Sequence, residues 1–489
     1  MTESLISVGI DLGTTTTQVI FSRITVENIA GAASVPRIQI IDKSIIYEGA
    51  IRFTPLLDPT VIDAEAVLTI VQDEYRQAGF LPADVSAGAV IITGETARKE
   101  NSQAVLRTLS GLAGDFVVAT AGSDLESILA GRGAGTAEMS KTTPGRALAN
   151  LDIGGGTTNT AVFLDGQPLD TSCLDIGGRQ IALDPSGKRY GRVSPKYAEL
   201  GRRLGLRLEE KAPVVLDDLK ILCARLAAVM AKSLGLNGEG EGASDARLDE
   251  DLELMITAHP LKKIRPLHGL TFSGGVADFI YGRPATDPFL YGDIGPILGQ
   301  AVANCPLFGQ TPILTPQETI RATVVGAGSN SLELSGSTIT LTRPDVLPLK
   351  NVPILKLTEE DEADDYKHFS SRLAERIGWF KEGEDEGCQT LAVAFKGPKN
   401  PGYDDVLRLR DHLLNGLDHY LAHNETLIIV LEEDLAKSLG QALKNSLPGR
   451  NVVSLDGVQV ENGDYIDIGV PVVSGRVVPV VVKTLVFGR

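Results

Sequence analysis

Cysteine is scarce. Four in 489 residues, Cys173, Cys223, Cys305 and Cys388, stand far apart with no Cys-x-x-Cys pair. That spacing argues against a disulfide framework or a cysteine zinc site and fits a reducing cytosol. The chain also lacks any run near the ~20 apolar residues a membrane helix needs, and Met1-Thr2-Glu3-Ser4-Leu5 lacks a basic leader segment. A soluble cytoplasmic protein is the expectation. Positive charge is in deficit as well: 46 Lys and Arg against 63 Asp and Glu leave a net charge of −17. Such a surface repels nucleic-acid backbones and anionic lipid, so neither is an expected partner.

Two common signatures are missing. Ser186-Gly187-Lys188-Arg189 lacks the upstream glycine spacing and the following Ser or Thr of a P-loop. His412, His419 and His423 fall near one side of a predicted helix, but without the Glu of a His-Glu-x-x-His pattern they do not make a metal site. With 43% apolar and 22% charged residues the composition is ordinary for a globular chain, and the length suits about three units of ~150 residues.

The informative stretch is Leu151-Asp152-Ile153-Gly154-Gly155-Gly156-Thr157-Thr158-Asn159, which reads as a β-hairpin with a glycine-rich tip and an acid at its head. A near-copy lies 141 residues upstream, at Ile10-Asp11-Leu12-Gly13-Thr14-Thr15-Thr16-Thr17-Gln18, with an expected tip one residue shorter. Gly and Thr tips leave backbone N–H groups unshielded, and successive N–H groups form a nest for an anion, phosphate above all. An Asp just before each bend aims a carboxylate into the same space, and a hydrated Mg²⁺ needs one or two such carboxylates beside the phosphates. Asp11 and Asp152 are therefore expected to face each other across a nucleotide. A single Asp-x-Gly-Thr hairpin is usually an ordinary tight turn. Two of them, followed by a Gly-Gly turn in Thr271-Phe272-Ser273-Gly274-Gly275-Val276-Ala277, argue for more.

Here the residues resemble a known superfamily. Asp11-Leu12-Gly13-Thr14-Thr15 is similar to the first phosphate motif, Asp152 to Thr157 to the second, and Ser273-Gly274-Gly275 to the adenosine motif of the actin, sugar-kinase and heat-shock-chaperone ATPases. The resemblance implies an α/β protein with two ribonuclease-H-like lobes, binding ATP and Mg²⁺. On it, Asp11 and Asp152 serve catalysis and the metal. Gly13, Thr14, Thr15, Gly154, Gly155, Gly156, Thr157, Gly274 and Gly275 hold the nucleotide. Ala121 to Gly131 resembles the crossover helix between the lobes, and Glu126 falls where many members carry an acid or amide that positions the attacking water. From the residues alone, Glu126 is equally a first-turn acid suited to a helix N-terminus. Glu318 to Gly328 resembles the second crossover helix, and Leu174 to Gln180 a Gly-Gly stretch that closes the second sheet.

The expected organisation is lobe I over 1–145, lobe II over 146–340, an acidic linker over 341–389 and a small α/β domain over 390–489. The linker rests on the acid runs Glu359-Glu360-Asp361-Glu362 and Lys381-Glu382-Gly383-Glu384-Asp385-Glu386. The final domain rests on alternating elements: a strand at Thr390 to Phe395, a helix at Asp404 to Leu421, a strand at Leu427 to Leu431, a helix at Glu433 to Ser446 and a strand at Asn451 to Leu455.

Ser7 to Phe53 and Asp467 to Gly488 closely resemble the reactivating factors of ethanolamine ammonia-lyase, and the likeness runs over essentially the full chain. That family implies a chaperone-like ATPase that removes damaged cobalamin from its partner, ethanolamine ammonia-lyase, so that intact adenosylcobalamin can enter. It places the protein in the cytoplasm, admits a bacterial microcompartment and leaves homo-oligomerisation open. A small-molecule kinase and an actin-like filament protein remain the alternatives within the superfamily.

Overall fold

In the computed structural model the chain is described except at residues 1, 14–15, 29–37, 59–60, 93–100, 111, 113–117, 120–122, 237–245, 258, 263–265, 283–286, 331, 336–338, 364–365, 378–389, 461–463, 472–477 and 485–489. The fold begins with β-branched alternation. Val8, Ile10, Leu12, Val19 and Phe21 are buried together, so β1 (Thr2–Leu12) and β2 (Thr16–Asn28) pair antiparallel with one face in the core. β3 (Ile38–Glu48) adds antiparallel to β2, β4 (Ala87–Ile92) parallel to β1, and β5 (Val118–Ala119) parallel to β4. Register shifts against β2 absorb the length of β3. α1 (Ala64–Ala78) covers this sheet through Val67, Val71 and Tyr75, its N-terminus capped by Asp63 and its end turned by Gly79 at φ 76°.

The second sheet repeats the plan. β6 (Ala147–Ile153) and β7 (Thr158–Leu164) form a hairpin, β8 (Gln167–Leu174) adds antiparallel to β7, and β9 (Leu267–Ser273) lies parallel to β6. Third, second, first and fourth strands stand side by side in both sheets, which is the duplicated ribonuclease-H-like plan of the two-lobed actin-like fold. The lobes exchange helices. α2 (Ser123–Gly133) precedes the second sheet and packs on it, followed after a two-residue break by α3 (Thr136–Lys141). α4 (Leu216–Ser233) buries Leu219, Leu222, Leu226 and Met230 in the second lobe's core. α5 (Ala322–Asn330) follows the second lobe and packs on β1, β2 and β4 of the first. α2 and α5 cross at glycines: a Cβ on Gly133 would stand 1.8 Å from the Ala322 carbonyl oxygen, and one on Gly326 would stand 2.0 Å from that of Leu129. α5 starts four residues later than expected because Thr319 is spent on the preceding turn, where its carbonyl accepts the Gly274 N–H.

Beyond α5 an eight-stranded sheet forms. Its strands are β10 (Leu332–Leu334), β11 (Thr340–Leu341), β12 (Leu349–Lys356), β13 (Ala392–Phe395), β14 (Thr426–Leu431), β15 (Asn451–Asp456), β16 (Asp464–Ile468) and β17 (Pro479–Thr484), in the order β10-β17-β16-β12-β13-β14-β15-β11. β12 to β15 run parallel, joined by α6 (Phe369–Ile377), α7 (Tyr403–Gly416), α8 (Asp418–His423) and α9 (Ala436–Ser446). This corrects the expected linker. β12 lies inside the sheet between β13 and β16, and Leu355, Leu357, Phe369 and Leu373 belong to the core. The Glu359–Glu362 acids form a capped turn: Asp361 accepts from the Thr358 N–H at 2.8 Å and pairs with Arg376 at 2.7 Å. The 381–386 run and Cys388 lie outside the described residues. The helix expected over Asp404 to Leu421 breaks at Leu417, which separates His412 on α7 from His419 and His423 on α8. Among the described residues, no helix is long and apolar enough to cross a membrane.

Candidate active site

The two hairpins share one geometry. Asp11 pairs with Gln18 and Leu12 with Thr17; Asp152 pairs with Asn159 and Ile153 with Thr158. The Gly13 N–H donates to the Thr16 carbonyl at 2.8 Å and the Gly154 N–H to that of Thr157 at 2.9 Å. Every matched position is therefore offset by 141, and the tips are equal in length. The expectation of a shorter first tip is corrected: an unbroken Thr run gives no mark of where the turn ends, and only the strand pairing fixes it.

The second tip is braced from beneath. Its Gly154, Gly155 and Gly156 carbonyls accept from the Gly178 N–H at 3.0 Å, the Arg179 N–H at 2.7 Å and Gln180 Nε2 at 2.6 Å. Carbonyls held on that side leave the tip's N–H groups toward the cleft, as an anion nest requires. Gly177 is obligatory, since a Cβ there would stand 2.4 Å from the Gly155 carbonyl oxygen. The Gly-Gly stretch thus supports the second tip, whereas the sequence suggested a sheet closure. The first tip is held by Thr54, whose hydroxyl donates to the Gly13 carbonyl at 2.9 Å and meets the Thr17 hydroxyl at 3.2 Å. Thr14 and Thr15 lie outside the described residues.

The third turn docks on the second hairpin: the Val276 N–H donates to the Ile153 carbonyl at 3.1 Å. Gly274 sits at φ 85° with no room for a Cβ against Ile153, while Gly275 faces open space. The two glycines therefore do different things, one allowing the turn and the other leaving the cleft clear.

All three motifs open on one cleft of about 680 Å³. Asp11, Gly13, Glu126, Asp152, Gly154, Gly155, Gly156, Thr157, Gly274 and Gly275 line it. Thr16, Gln18, Phe53, Asp293 and Thr323 line it too and were not singled out from the sequence. Gln18 could have been found by aligning the hairpins seven residues past each Asp; Asp293 and Thr323 join only through tertiary folding.

Asp11, Glu126, Asp152 and Asp293 are each under 9% exposed. Burial pushes the Asp152 carboxyl up to about 6, against the pull of hydrogen bonds from Ser273 and Thr323. Burial likewise raises Asp293, against the Gly295 N–H and the nearby Arg179. Behind Asp152 runs a buried chain of donors. Ser273 Oγ donates to Asp152 Oδ1 at 2.6 Å, Asn150 Nδ2 to Ser273 Oγ at 2.9 Å and Thr271 Oγ1 to Asn150 Oδ1 at 2.9 Å, with Thr136 Oγ1 at 2.6 Å from that of Thr271. It fixes the rotamer of Asp152 and reaches the first turn of α3. At the mouth, the Arg179 guanidinium lies 5.2 Å from the centre of the Phe53 ring, bridging the lobes.

The family described as "Ethanolamine utilisation protein EutA" matches residues 3–488. This chain belongs to the EutA family. Curated EutA relatives, both described as "Ethanolamine ammonia-lyase reactivase EutA", are 36% identical over 490 residues in Salmonella typhimurium strain LT2 and 35% identical over 487 residues in Escherichia coli K12; each alignment covers 99% of both chains. Among solved structures, an Aquifex aeolicus member of the Ppx/GppA family aligns with a TM-score of 0.38 and 12% identity, covering 66% of this chain and 97% of its own.

Proposed function

We propose that this chain is an ATP-dependent reactivating factor of ethanolamine ammonia-lyase, acting in the cytoplasm to release damaged cobalamin so that intact adenosylcobalamin can bind. The observation that carries the reading is the convergence of both acid-headed hairpins on one cleft in a full-length relative of reactivases.

The donor set fits Mg²⁺. Asp11 and Asp152 offer hard carboxylate oxygens, and no Lys or Arg is among the described residues lining the cleft. One or two carboxylates beside phosphates are what a hydrated Mg²⁺ uses. When bound, the ion offsets the charge of the triphosphate and draws electron density from its terminal group. Asp11 and Asp152 would hold the ion through its waters. The N–H groups of Gly155, Gly156 and Thr157 would cradle phosphate oxygens. Glu126, buried on α2, would accept a hydrogen bond from the attacking water and orient it. A nucleotide touching both tips favours whichever lobe arrangement lets it reach both, and the α2–α5 crossing is where the lobes would rotate. ATP and ADP would then set different grips on the lyase.

The test is an incubation of inactivated ethanolamine ammonia-lyase with ATP, Mg²⁺ and adenosylcobalamin, with and without this protein. Lyase activity should return only when protein and ATP are both present. Recovery without nucleotide, or none with it, would overturn the reading.

A further inference from the structure

The shared register sets an amide directly opposite each acid: Gln18 faces Asp11 and Asn159 faces Asp152. Residues directly opposed on an antiparallel ladder project from the same face of the sheet. Gln18 is 4% exposed and lines the cleft. Its Nε2 is turned toward the Ile320 carbonyl at 3.4 Å and Thr16 Oγ1 at 3.5 Å, an orientation that spans from lobe I to the start of α5. Its Oε1 is buried with no hydrogen-bond partner. A buried carbonyl oxygen left unpaired is costly, so this one calls for a donor that the folded chain alone does not supply.

The chemistry of the cleft narrows what that donor is. The described lining side chains include four carboxylates and neither Lys nor Arg. Phosphate oxygens only accept. A water on a hydrated divalent cation beside Asp11 is a donor of the kind this oxygen needs. We propose that Gln18 is a binding residue for that hydrated cation, its Oε1 accepting from a metal-bound water next to Asp11. A neutral amide adds an acceptor without a fifth negative charge. Asn159 Oδ1 is also buried without a partner, but Asn159 does not line the cleft and has no part in the proposal.

The proposal rests on reading the cleft as a metal–nucleotide site, and the test separates the two. Mn²⁺ replaces Mg²⁺, and free Mn²⁺ is read by electron paramagnetic resonance while it titrates the full chain with saturating ADP. Gln18→Met keeps the volume and removes both polar ends. Gln18→Glu keeps an oxygen and loses the donation to Ile320. Gln18→Met should weaken Mn²⁺ binding about tenfold, the worth of a hydrogen bond to a charged partner. Gln18→Glu should hold it at or tighter than wild type, and thermal melting should show both variants folded. Equal weakening in both would make Ile320 the important contact and overturn the proposal, as would wild-type affinity in Gln18→Met. Should Gln18→Met not fold, Gln18→Glu decides alone, and weaker binding there overturns the proposal. If wild type itself holds no Mn²⁺ with ADP, the metal–nucleotide reading fails and this inference with it.

Discussion

The two hairpins match in length, register and the placement of Asp and amide, yet each is held by a different device. The second is stiff: its glycine carbonyls are occupied by Gly178, Arg179 and Gln180, and its acid is wired through Ser273, Asn150 and Thr271 to Thr136. The first leans on the hydroxyls of Thr17 and Thr54 and on the reach of Gln18 to Ile320. The two hairpins therefore share strand register and the acid–amide pairing while their supports differ. On the proposed reading, the more heavily braced second hairpin would anchor phosphate and the first would be the side that approaches or withdraws.

Breaking the tips should have the largest effect. Asp11→Ala and Asp152→Ala should each lower ATP hydrolysis about 100-fold or more with the fold retained, because a metal–phosphate site loses several kcal/mol of transition-state stabilisation. Hydrolysis rates and circular dichroism check this. Gly177→Ala attacks the anchor's brace, where the new Cβ collides with backbone, and should lower the melting temperature and nucleotide affinity together.

Proton competition sharpens the comparison. The Asp152 carboxyl is raised to about 6 from an ordinary 3.8, so it binds its proton more tightly folded than unfolded. Its contribution to stability without metal is present below 3.8 and is lost as pH rises through about 6. Metal binding needs the ionised form. Affinity for Mg²⁺ and ADP should therefore fall as pH drops below about 6, approaching tenfold per unit. In Asp152→Asn that dependence should vanish, leaving weak binding throughout. Ser273→Ala removes a hydrogen bond that stabilises the carboxylate, so the midpoint should move upward. Calorimetry across pH decides both. The smallest effect belongs to the looser hairpin: Thr54→Val should cost about 1 kcal/mol in denaturant unfolding, the net worth of a hydrogen bond.

What the sequence revealed was what local chemistry encodes. An acid, an apolar residue and a Gly or Thr tip between β-branched arms specify a hairpin without help from the rest of the chain, so the hairpins headed by Asp11 and Asp152 were legible, whereas Glu126 was singled out only by the resemblance to a crossover helix, its own residues reading equally as a first-turn acid. The tip length was not, because Thr14 to Thr17 contain no glycine to mark the bend. Gln18 looked like any polar strand residue until its register against Asp11 was known. Acid runs read as linker because solvation is their usual fate, yet Asp361 caps a helical turn beside Arg376, and Glu362 accepts from the Lys396 and Gly397 N–H groups. Those partners are up to 35 residues away, beyond any local pattern.

On the proposed function, both hairpins grip one metal–nucleotide together. Calorimetric titration of ADP with Mg²⁺ into wild type, Asp11→Asn and Asp152→Asn tests it most directly. A single site per chain is expected, with a loss of about 100-fold in affinity from either substitution, if one ion is held from both hairpins at once. Two sites per chain, or wild-type affinity in either variant, would contradict it.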